Sequence, residues 1–220
     1  CEGIFSHFSV SDSLDEDAKA YTDQQVQLYE RVLSDLKAAG IDYGLTHLQN
    51  SYGVLNYGHL EYDYVRPGLL FLGATSNDAI PIATNPDFEP ILQLKANVSL
   101  VKEVEAGDSV SYGRNYIAKE HDKIATVSIG YADGYPRILS NKHPQVLIHG
   151  QRCEIVGNIC MDQIMVNVTH IENVLEGDVV TLIGKDGDEM ITVDELTRWA
   201  NTINNDTFCW FSARVPRIYK

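Results

Sequence analysis

Residues 16 to 48 decide the fold of the first part of the chain, and they read EDAKAYTDQQVQLYERVLSDLKAAGIDYGLTHL. Apolar residues recur at three- and four-residue spacing and stop at Gly40, which predicts an amphipathic helix from Glu16 to Ala39. The apolar residues on that face are Val26, Tyr29, Val32, Leu33 and Leu36. Tyr43 to Leu48 then has the character of a short strand. The segment therefore predicts a helix that is followed directly by a strand.

Two further strand-like segments extend this pattern. Gly3 to Phe8 precedes the helix, and Tyr64 to Leu72 follows the second strand. Alternation of strand, helix and strand is typical of a parallel sheet that is covered by helices, as in a barrel or a doubly wound sheet. The chain holds too few of these units to close a barrel, so we expect further strands of this fold to lie upstream of it.

A change of pattern marks a second part of the chain. Asn77 to Pro90 carries three prolines and suits neither a helix nor a central strand, which predicts a linker. Beyond it, short β segments alternate with glycines, so we predict an all-β, barrel-like domain. The predicted strands are Leu92 to Val104, Lys123 to Ile129, Gln145 to His149, Cys153 to Ile159, Ile164 to Val168 and Val179 to Ile183. Near the end, Thr192 and Glu195 have the spacing of a capping box and predict one helix.

The composition argues against several classes of protein. The net charge of −14 and the sequence pI near 4.8 disfavour a surface for nucleic acid or anionic membrane, because phosphate binding needs clustered Lys and Arg. The four cysteines lack both zinc spacing and the density of a disulfide scaffold, which favours a reducing cytoplasm. The seven histidines show no metal-binding spacing, so we predict no metal site. Small molecules or other proteins are the expected partners.

Several polar residues of the first part have two interpretations. His7 and His47 end predicted parallel strands, where α/β folds concentrate functional side chains, yet a histidine there is as often satisfied in a core. Ser51 either binds phosphate or caps a helix. Arg66, close to Gly68, either binds an anion or forms a surface ion pair. These residues alone leave the alternatives open.

Four loop motifs stand out in the second part. None of them is diagnostic alone, because a tyrosine beside a glycine is common in ordinary turns. They are Ser111-Tyr112-Gly113, Gly130-Tyr131-Ala132-Asp133-Gly134, Cys160-Met161-Asp162-Gln163 and Arg214-Val215-Pro216-Arg217.

Taken together and in order, the motifs of both parts resemble those of the bacterial alanine racemase family. The matching stretches are Ser6 to Phe8 with Asp12, His47 to Ser51, Val65 to Gly68, Val110 to Gly113, Gly130 to Arg137, Cys160 to Gln163 and Arg214 to Arg217. The resemblance implies that residues 1–85 are the C-terminal portion of a (β/α)₈ barrel and that residues 90–220 form the β domain. It also implies pyridoxal 5′-phosphate as cofactor and a homodimer whose site is shared between subunits.

The resemblance also implies roles for individual residues. Tyr112 is expected to be the acid/base group that acts on the L enantiomer, and the lysine that carries the cofactor is expected upstream, outside this chain. The residues implied at the cofactor are His7, His47, Ser51, Arg66, Gly68, Leu69 and Asn205, with Arg66 at the pyridine nitrogen. Those implied at the substrate are Met161, Asp162 and Tyr131, and those implied at the entrance are Asp12, Arg137 and Asn158.

Two positions depart from the family pattern. Asn205 stands where the family has a tyrosine that crowds the substrate, and a smaller amide leaves room for the hydroxymethyl group of serine. Asn158 stands where many members have an arginine at the entrance. The first departure leads us to expect racemisation of serine, with alanine as a second substrate.

This expectation is similar to the activity of the membrane-bound serine racemases of vancomycin resistance, whose cytoplasmic racemase domain follows a membrane domain and supplies D-amino acids for cell-wall precursors. Two alternatives remain open. One is an ordinary alanine racemase, and the other is a non-catalytic fragment that serves dimerisation or regulation, since fold alone does not carry function.

Overall fold

The fold is described here from a computed structural model that covers residues 1–140 and 142–219. The chain divides into two compact units at the junction of Ile91 and Leu92. The first unit mixes helices with a parallel sheet, and the second is built mainly on a large antiparallel sheet. The predicted fold class, α/β followed by all-β, is therefore confirmed.

The first unit is a small parallel sheet with one long helix. Strands β1, β2 and β3 lie side by side in chain order, and both neighbouring pairs are parallel. Phe5 of β1 is opposite His47 of β2, and Asn50 of β2 is opposite Arg66 of β3. The elements are β1 (Gly3–Phe5), α1 (Glu16–Ala38), β2 (Leu45–Asn50), α2 (Ser51–Asn56) and β3 (Tyr64–Arg66).

Helix α1 has the extent that its apolar periodicity predicts. Asp15 caps its N-terminus by accepting a hydrogen bond from the Ala18 N–H at 2.8 Å, which satisfies a donor that the helix itself leaves unpaired. Tyr29 and Leu33 pack into a core with Leu48, and the Tyr29 hydroxyl donates to the Ile4 carbonyl at 2.8 Å. Apolar contacts and one partly buried hydrogen bond thus fix the helix on the sheet.

The structure corrects several predictions in this unit. The first strand ends at Phe5 instead of Phe8, and the second spans Leu45–Asn50 instead of Tyr43 to Leu48. The strand predicted from Tyr64 to Leu72 ends at Arg66, because Pro67 cannot donate a ladder hydrogen bond, and a 3₁₀ turn, Leu69–Leu72, replaces its second half. Helix α2 was not predicted, because it is only six residues long. Residues 77–90 contain no helix or strand, in agreement with the predicted linker.

The second unit is a closed antiparallel barrel. Its sheet runs in the order β12-β11-β4-β7-β10-β9-β8, and a further pairing of Thr181 with Leu147 joins β11 to β8, so six strands form a ring and β12 lies outside it. The elements are β4 (Leu94–Val104), β5 (Ser109–Val110), β6 (Tyr116–Ile117), β7 (Asp122–Val127), β8 (Gln145–Ile148), β9 (Gln151–Val156), β10 (Ile164–Asn167), β11 (Val179–Asp186), β12 (Glu189–Ile191), α3 (Val193–Ala200) and α4 (Asn204–Cys209).

Side chains at alternate positions of the ring strands fill the barrel interior. This period of two is what a strand with one buried face requires. The interior residues include Leu94, Val98, Ala125, Val127, Val146, Ile148, Cys153, Ile155, Ile164, Val166, Val180 and Leu182. All six predicted strands are present, with their ends shifted by three residues at most.

The C-terminal helices pack against the barrel core. The predicted capping box is confirmed, because the Thr192 hydroxyl accepts from the Glu195 N–H and the Glu195 carboxylate accepts from the Thr192 N–H. Leu196 of α3 is fully buried in the core. Helix α4, strand β12 and the short β5–β6 hairpin were not predicted, since each is too short for a periodic pattern.

Candidate functional site

The first group of predicted site residues surrounds Arg66 at the carboxyl ends of the parallel strands. Nη2 of Arg66 donates to the Ser6 carbonyl at 2.7 Å and to the Leu48 carbonyl at 3.2 Å, and Nη1 donates to the His47 carbonyl at 3.2 Å. One guanidinium therefore satisfies backbone carbonyls that follow β1 and lie in β2. This part of a parallel sheet is where α/β folds place their ligands.

Arg66 also sets the orientation of the His47 ring. Nη1 of Arg66 lies 2.7 Å from Nδ1 of His47. Because an arginine can only donate, Nδ1 must be the unprotonated nitrogen and the ring proton lies on Nε2. Phe5 stacks on the His47 ring with centroids 5.1 Å apart, and the Arg66 guanidinium lies 5.2 Å from the Phe5 centroid. Phe5 was not predicted as a site residue, because nothing local in the sequence separates it from a core aromatic.

His7 lies at the edge of the same group. Its Nδ1 is 3.4 Å from Nη2 of Arg66, and its Nε2 is 3.4 Å from Nδ2 of Asn50. Asn50 is the N-cap of α2, since its Oδ1 accepts from the Gly53 N–H at 2.8 Å. The interpretation of Ser51 as the helix cap is therefore wrong by one residue.

Ser51 is instead paired with the chain that follows β3. The Gly68 N–H donates to Ser51 Oγ at 2.9 Å, and a methyl group added at Gly68 would meet only this oxygen, at 3.9 Å. Within the described part of the chain the Ser51 hydroxyl donates to no acceptor, so its proton is available to an anion. Leu69, which begins the 3₁₀ turn, is buried. The residues present thus fit a phosphate group, because they offer donors and space without a carboxylate.

The surface ion pair proposed for Arg66 is wrong, because no carboxylate among the described residues lies within salt-bridge distance of it. Burial instead lowers the pKa of the Arg66 guanidinium, which still remains charged. Asp12 lies half-buried in the turn that follows β1.

The second group of predicted residues forms a cluster of loops in the barrel unit. We call it the loop cluster and define it as residues 111–115, 130–137, 157–163 and 212–217. Tyr112 lies in the turn between β5 and β6, and 72% of its surface is exposed. The Ser111 hydroxyl donates to the Asn158 carbonyl at 2.6 Å and lies 3.7 Å from Sγ of Cys160. These contacts join the Tyr112 turn to the Cys160 loop.

Two backbone hydrogen bonds join the Tyr131 loop to the same region. The Tyr131 N–H donates to the Cys160 carbonyl at 3.0 Å, and the Ala132 N–H donates to the Met161 carbonyl at 2.9 Å. The Cys160 N–H donates to the Gln163 carbonyl, which closes the loop around Met161. Among the described residues no acceptor is bonded to the Met161 N–H, so this donor is available to a carboxylate.

Arg214 connects these loops to the end of the chain. Its Nη2 donates to Oδ1 of Asp162 at 2.7 Å, and its Nε lies 3.3 Å from Oδ1 of Asp133. The neighbouring carboxylates raise the pKa of Arg214, with the Asp162 hydrogen bond as the largest cause. Asp133 in turn accepts from the Gly130 N–H at 2.9 Å. All four loop motifs of the second part therefore lie in one connected cluster.

The remaining predicted residues of this unit differ in exposure. Arg137 is exposed at the start of a 3₁₀ turn, Arg137–Leu139. Asn158, predicted at an entrance, is 7% exposed, and its amide bonds to the Tyr112 turn. Asn205 is exposed in the first turn of α4, beside the fully buried Asn204, whose Oδ1 accepts from the Thr197 hydroxyl at 2.7 Å.

Models of two protein domains match this chain. The N-terminal domain of alanine racemase matches residues 1–76, and the C-terminal domain of alanine racemase matches residues 91–219. The chain belongs to the alanine racemase family. The group of residues around Arg66 lies inside the first matched range, and the loop cluster lies inside the second.

Relatives and solved structures of the alanine racemase family agree with this assignment. The chain is 42% identical over 220 residues to the alanine racemase of Halothermothrix orenii. This match covers 100% of the chain and 56% of the relative. It superimposes with a TM-score of 0.89 on the alanine racemase of E. faecalis, at 36% identity over 100% of this chain and 56% of the other. The alanine racemase of Bartonella henselae with covalently bound pyridoxal phosphate superimposes with a TM-score of 0.81, at 29% identity. That match covers 100% of this chain and 56% of the other.

The chain thus spans little more than half the length of the alanine racemases that it matches. In the part of the chain that the structure describes, we find no helix that combines the length and the apolar character needed to cross a membrane.

Proposed function

We propose that this chain is part of a pyridoxal-phosphate-dependent racemase of small amino acids, with alanine as its main substrate. The observation that carries the proposal is the loop cluster, in which an exposed tyrosine is joined by hydrogen bonds to the loop that presents the Met161 N–H. The relatives support alanine, since the matching proteins of Halothermothrix orenii and E. faecalis are alanine racemases.

The residues around Arg66 would hold the cofactor. Ser51, Gly68 and Leu69 would bind its phosphate, and His7 would pack at the ring. Arg66, held in place by His47, would donate to the ring nitrogen. Bound pyridoxal phosphate would supply a ring that accepts the electron pair left at the α carbon when its proton departs. A guanidinium at the nitrogen limits how much charge the ring withdraws, because it disfavours protonation there, and prompt return of the proton is then favoured over transamination.

Tyr112 would exchange a proton with the α carbon on the face from which the L enantiomer loses its hydrogen. Racemisation needs a second base on the opposite face, and we propose that residues outside this chain supply it. A phenol of this kind must approach the α carbon to hydrogen-bond distance, about 3 Å. The exposure of Tyr112 is compatible with a site that is completed by a second subunit, so we also propose that the active form is a homodimer.

The substrate would be oriented by the Met161 loop. The Met161 N–H would donate to the carboxylate, with Asp162 beside it, and Tyr131, Arg137 and Asp12 would line the approach. The Asn158 side chain is buried and bonded to the Tyr112 turn, so it would not line an open approach.

Asn205 favours serine as a second candidate substrate. An asparagine in place of the family's tyrosine removes a large ring and adds an amide that can donate to, or accept from, a hydroxyl. A pocket of this kind would admit a hydroxymethyl group and satisfy it. The relation to the membrane-bound serine racemases of vancomycin resistance, the role in cell-wall precursors and the cytoplasmic location stay predictions.

A direct assay tests the proposed function. The full-length protein is incubated with pyridoxal phosphate, and separately with L-alanine and L-serine, and both enantiomers are measured by chiral chromatography. We expect an absorbance band of bound pyridoxal phosphate and conversion of L-alanine to the racemate. If the protein neither binds the cofactor nor racemises either amino acid, the non-catalytic alternative becomes the better description.

A further inference from the structure

The Tyr112 turn has a backbone conformation that side chains with a Cβ atom rarely adopt. Ser111, Gly113 and Arg114 all have positive φ angles, of 69°, 76° and 54°. Glycine tolerates this region, but serine and arginine are strained in it, and such conformations persist only where the surrounding structure imposes them. Something outside the turn must therefore hold it in place.

Asn158 holds the turn through both ends of its side-chain amide. Nδ2 of Asn158 donates to the Tyr112 carbonyl at 2.6 Å, and Oδ1 of Asn158 accepts from Nδ2 of Asn115 at 3.1 Å. The Asn158 carbonyl also accepts from the Ser111 hydroxyl at 2.6 Å. One residue, 7% exposed, is thus bonded to the beginning, the middle and the end of the turn.

The backbone on either side of this contact is tightly packed. A Cβ atom on Gly157 would lie 2.7 Å from Cβ of Ser111 and 2.9 Å from the Val110 carbonyl oxygen. A Cβ atom on Gly113 would lie 3.3 Å from Nδ2 of Asn158. Two glycines therefore let the loop after β9 approach the turn closely enough for the Asn158 amide to reach the Tyr112 carbonyl.

The hairpin that carries the turn is fixed independently at its base. The Tyr116 hydroxyl donates to the buried carboxylate of Asp122 at 2.6 Å and accepts from Nδ2 of Asn167 at 2.9 Å. Loss of the Asn158 bonds would therefore loosen the turn and leave the hairpin on the barrel. The Tyr112 ring itself is mostly exposed, so its direction depends on the backbone from which it projects.

We infer that Asn158 is a positioning residue for Tyr112, and this inference rests on the proposed racemase function. By fixing the Tyr112 carbonyl, Asn158 fixes the direction of the Cα–Cβ bond and so the position of the phenol. Proton transfer needs the phenol within hydrogen-bond distance of the α carbon, and a displacement of about 1 Å reduces such rates by up to about 10²-fold.

The substitution Asn158→Asp isolates the decisive hydrogen bond. Aspartate keeps an oxygen that accepts from Asn115, but it places a second oxygen against the Tyr112 carbonyl, where Asn158 supplied a donor. We expect the exchange of the α hydrogen of L-alanine with deuterated solvent to fall about tenfold in the full-length protein with pyridoxal phosphate. Exchange of the D-alanine hydrogen, which uses the base on the other face, should stay within about twofold.

A matched control removes the same kind of hydrogen bond elsewhere in the barrel. Nδ2 of Asn97 donates to the Gly177 carbonyl at 2.9 Å, outside the loop cluster, and Asn97→Asp should leave exchange of both enantiomers unchanged. Equal losses for L-alanine and D-alanine in Asn158→Asp would overturn the inference, because they would indicate a general structural defect. If Asn158→Asp does not fold, Ser111→Ala removes the Ser111 to Asn158 bond and should lower L exchange selectively.

A second readout is independent of activity. In the protein without cofactor, amide hydrogen exchange of residues 109–117 should be at least fivefold faster in Asn158→Asp than in Asn97→Asp. Equal protection in the two variants would overturn the role of Asn158 in holding the turn. An unsubstituted protein that exchanges neither enantiomer would contradict the proposed function instead, and the amide measurement would then still decide whether Asn158 positions Tyr112.

Discussion

Arg66 and His47 are joined by two hydrogen bonds from one guanidinium nitrogen, 2.7 Å to Nδ1 and 3.2 Å to the carbonyl oxygen. The pair fixes both the tautomer and the orientation of the imidazole. Since the same guanidinium also bonds the Ser6 carbonyl just after β1 and the Leu48 carbonyl in β2, it connects a predicted cofactor-binding group to the backbone of both segments.

The first prediction concerns the shape of the Arg66 side chain. Arg66→Lys keeps the positive charge but cannot reach four acceptors at once, so carbonyls at the strand ends lose their donors. We expect the free energy of unfolding to fall by about 2 kcal/mol, measured by urea denaturation of the full-length protein. Arg31→Lys on the exposed face of α1 is the control and should change it by less than about 0.5 kcal/mol. Equal effects would show that the hydrogen bonds contribute little.

The second prediction concerns Asn205 and the choice of substrate. Asn205→Tyr should lower kcat/KM for serine relative to alanine by about tenfold, because the ring fills the space that a hydroxymethyl group needs. Asn205→Gln, which keeps the amide, is the control and should retain more of the serine activity. An unchanged serine to alanine ratio in Asn205→Tyr would count against serine as a substrate.

The third prediction concerns the ion pairs that hold the Met161 loop. Arg214→Ala removes the cation between Asp133 and Asp162, so the loop that we propose to orient the substrate carboxylate should become more mobile. We expect KM for alanine to rise about threefold with little change in kcat, since the Arg214 and Asp162 side chains are each 55% exposed and only the Asp133 side chain, 15% exposed, is shielded from water. Arg214→Lys keeps the positive charge, so its KM for alanine should stay close to that of the unsubstituted protein. A change confined to kcat would point to a different role.

The fourth prediction concerns the pH dependence of stability. Burial raises the pKa of the Cys153 thiol to about 12, against about 8.5 in an unfolded chain. The folded state therefore binds the thiol proton more tightly than the unfolded state does. The stability that this difference contributes is complete below about pH 8.5 and is lost as the pH rises toward 12.

Alkaline urea titrations test this directly. Between pH 9 and 11 the free energy of unfolding should fall less steeply in Cys153→Ala than in the unsubstituted protein. The two slopes should differ by an amount that corresponds to at most one proton released on unfolding. At pH 8.5 a thiol reagent should modify the exposed Cys1 and Cys209 in the native protein but not Cys153. Rapid modification of Cys153 would contradict its place in the barrel core.

Local signals explain which parts of the fold were predicted from the sequence. The period of α1, the capping box at Thr192 and the glycines that separate the barrel strands are each local features of the sequence. Helix α2 and strand β12 are too short to show a period. The end of β3 at Arg66 could have been predicted from Pro67, because a proline interrupts a ladder.

Long-range contacts explain what could not be predicted about the two clusters. Arg66 reaches a carbonyl 60 residues away in the chain, and Asn158 bonds a residue 46 positions before it. Neither distance leaves a trace in local sequence. The family resemblance indicated which residues to consider, and it placed Asn158 at the entrance. Only the structure shows that Asn158 is buried and bonded to the Tyr112 turn.

The most direct test of the account follows the α hydrogen in Tyr112→Phe. Enantiomers have equal free energy, so kcat/KM for racemisation must be equal from both directions in every variant and cannot separate the two bases. Exchange with deuterated solvent can separate them, because in the proposed mechanism each base exchanges the hydrogen of only one enantiomer.

We predict that Tyr112→Phe loses exchange of the L-alanine hydrogen by at least about 10²-fold and retains that of D-alanine, while racemisation is abolished. Tyr21→Phe, an exposed tyrosine on α1, should behave like the unsubstituted protein. Continued exchange of the L-alanine hydrogen in Tyr112→Phe would contradict the account.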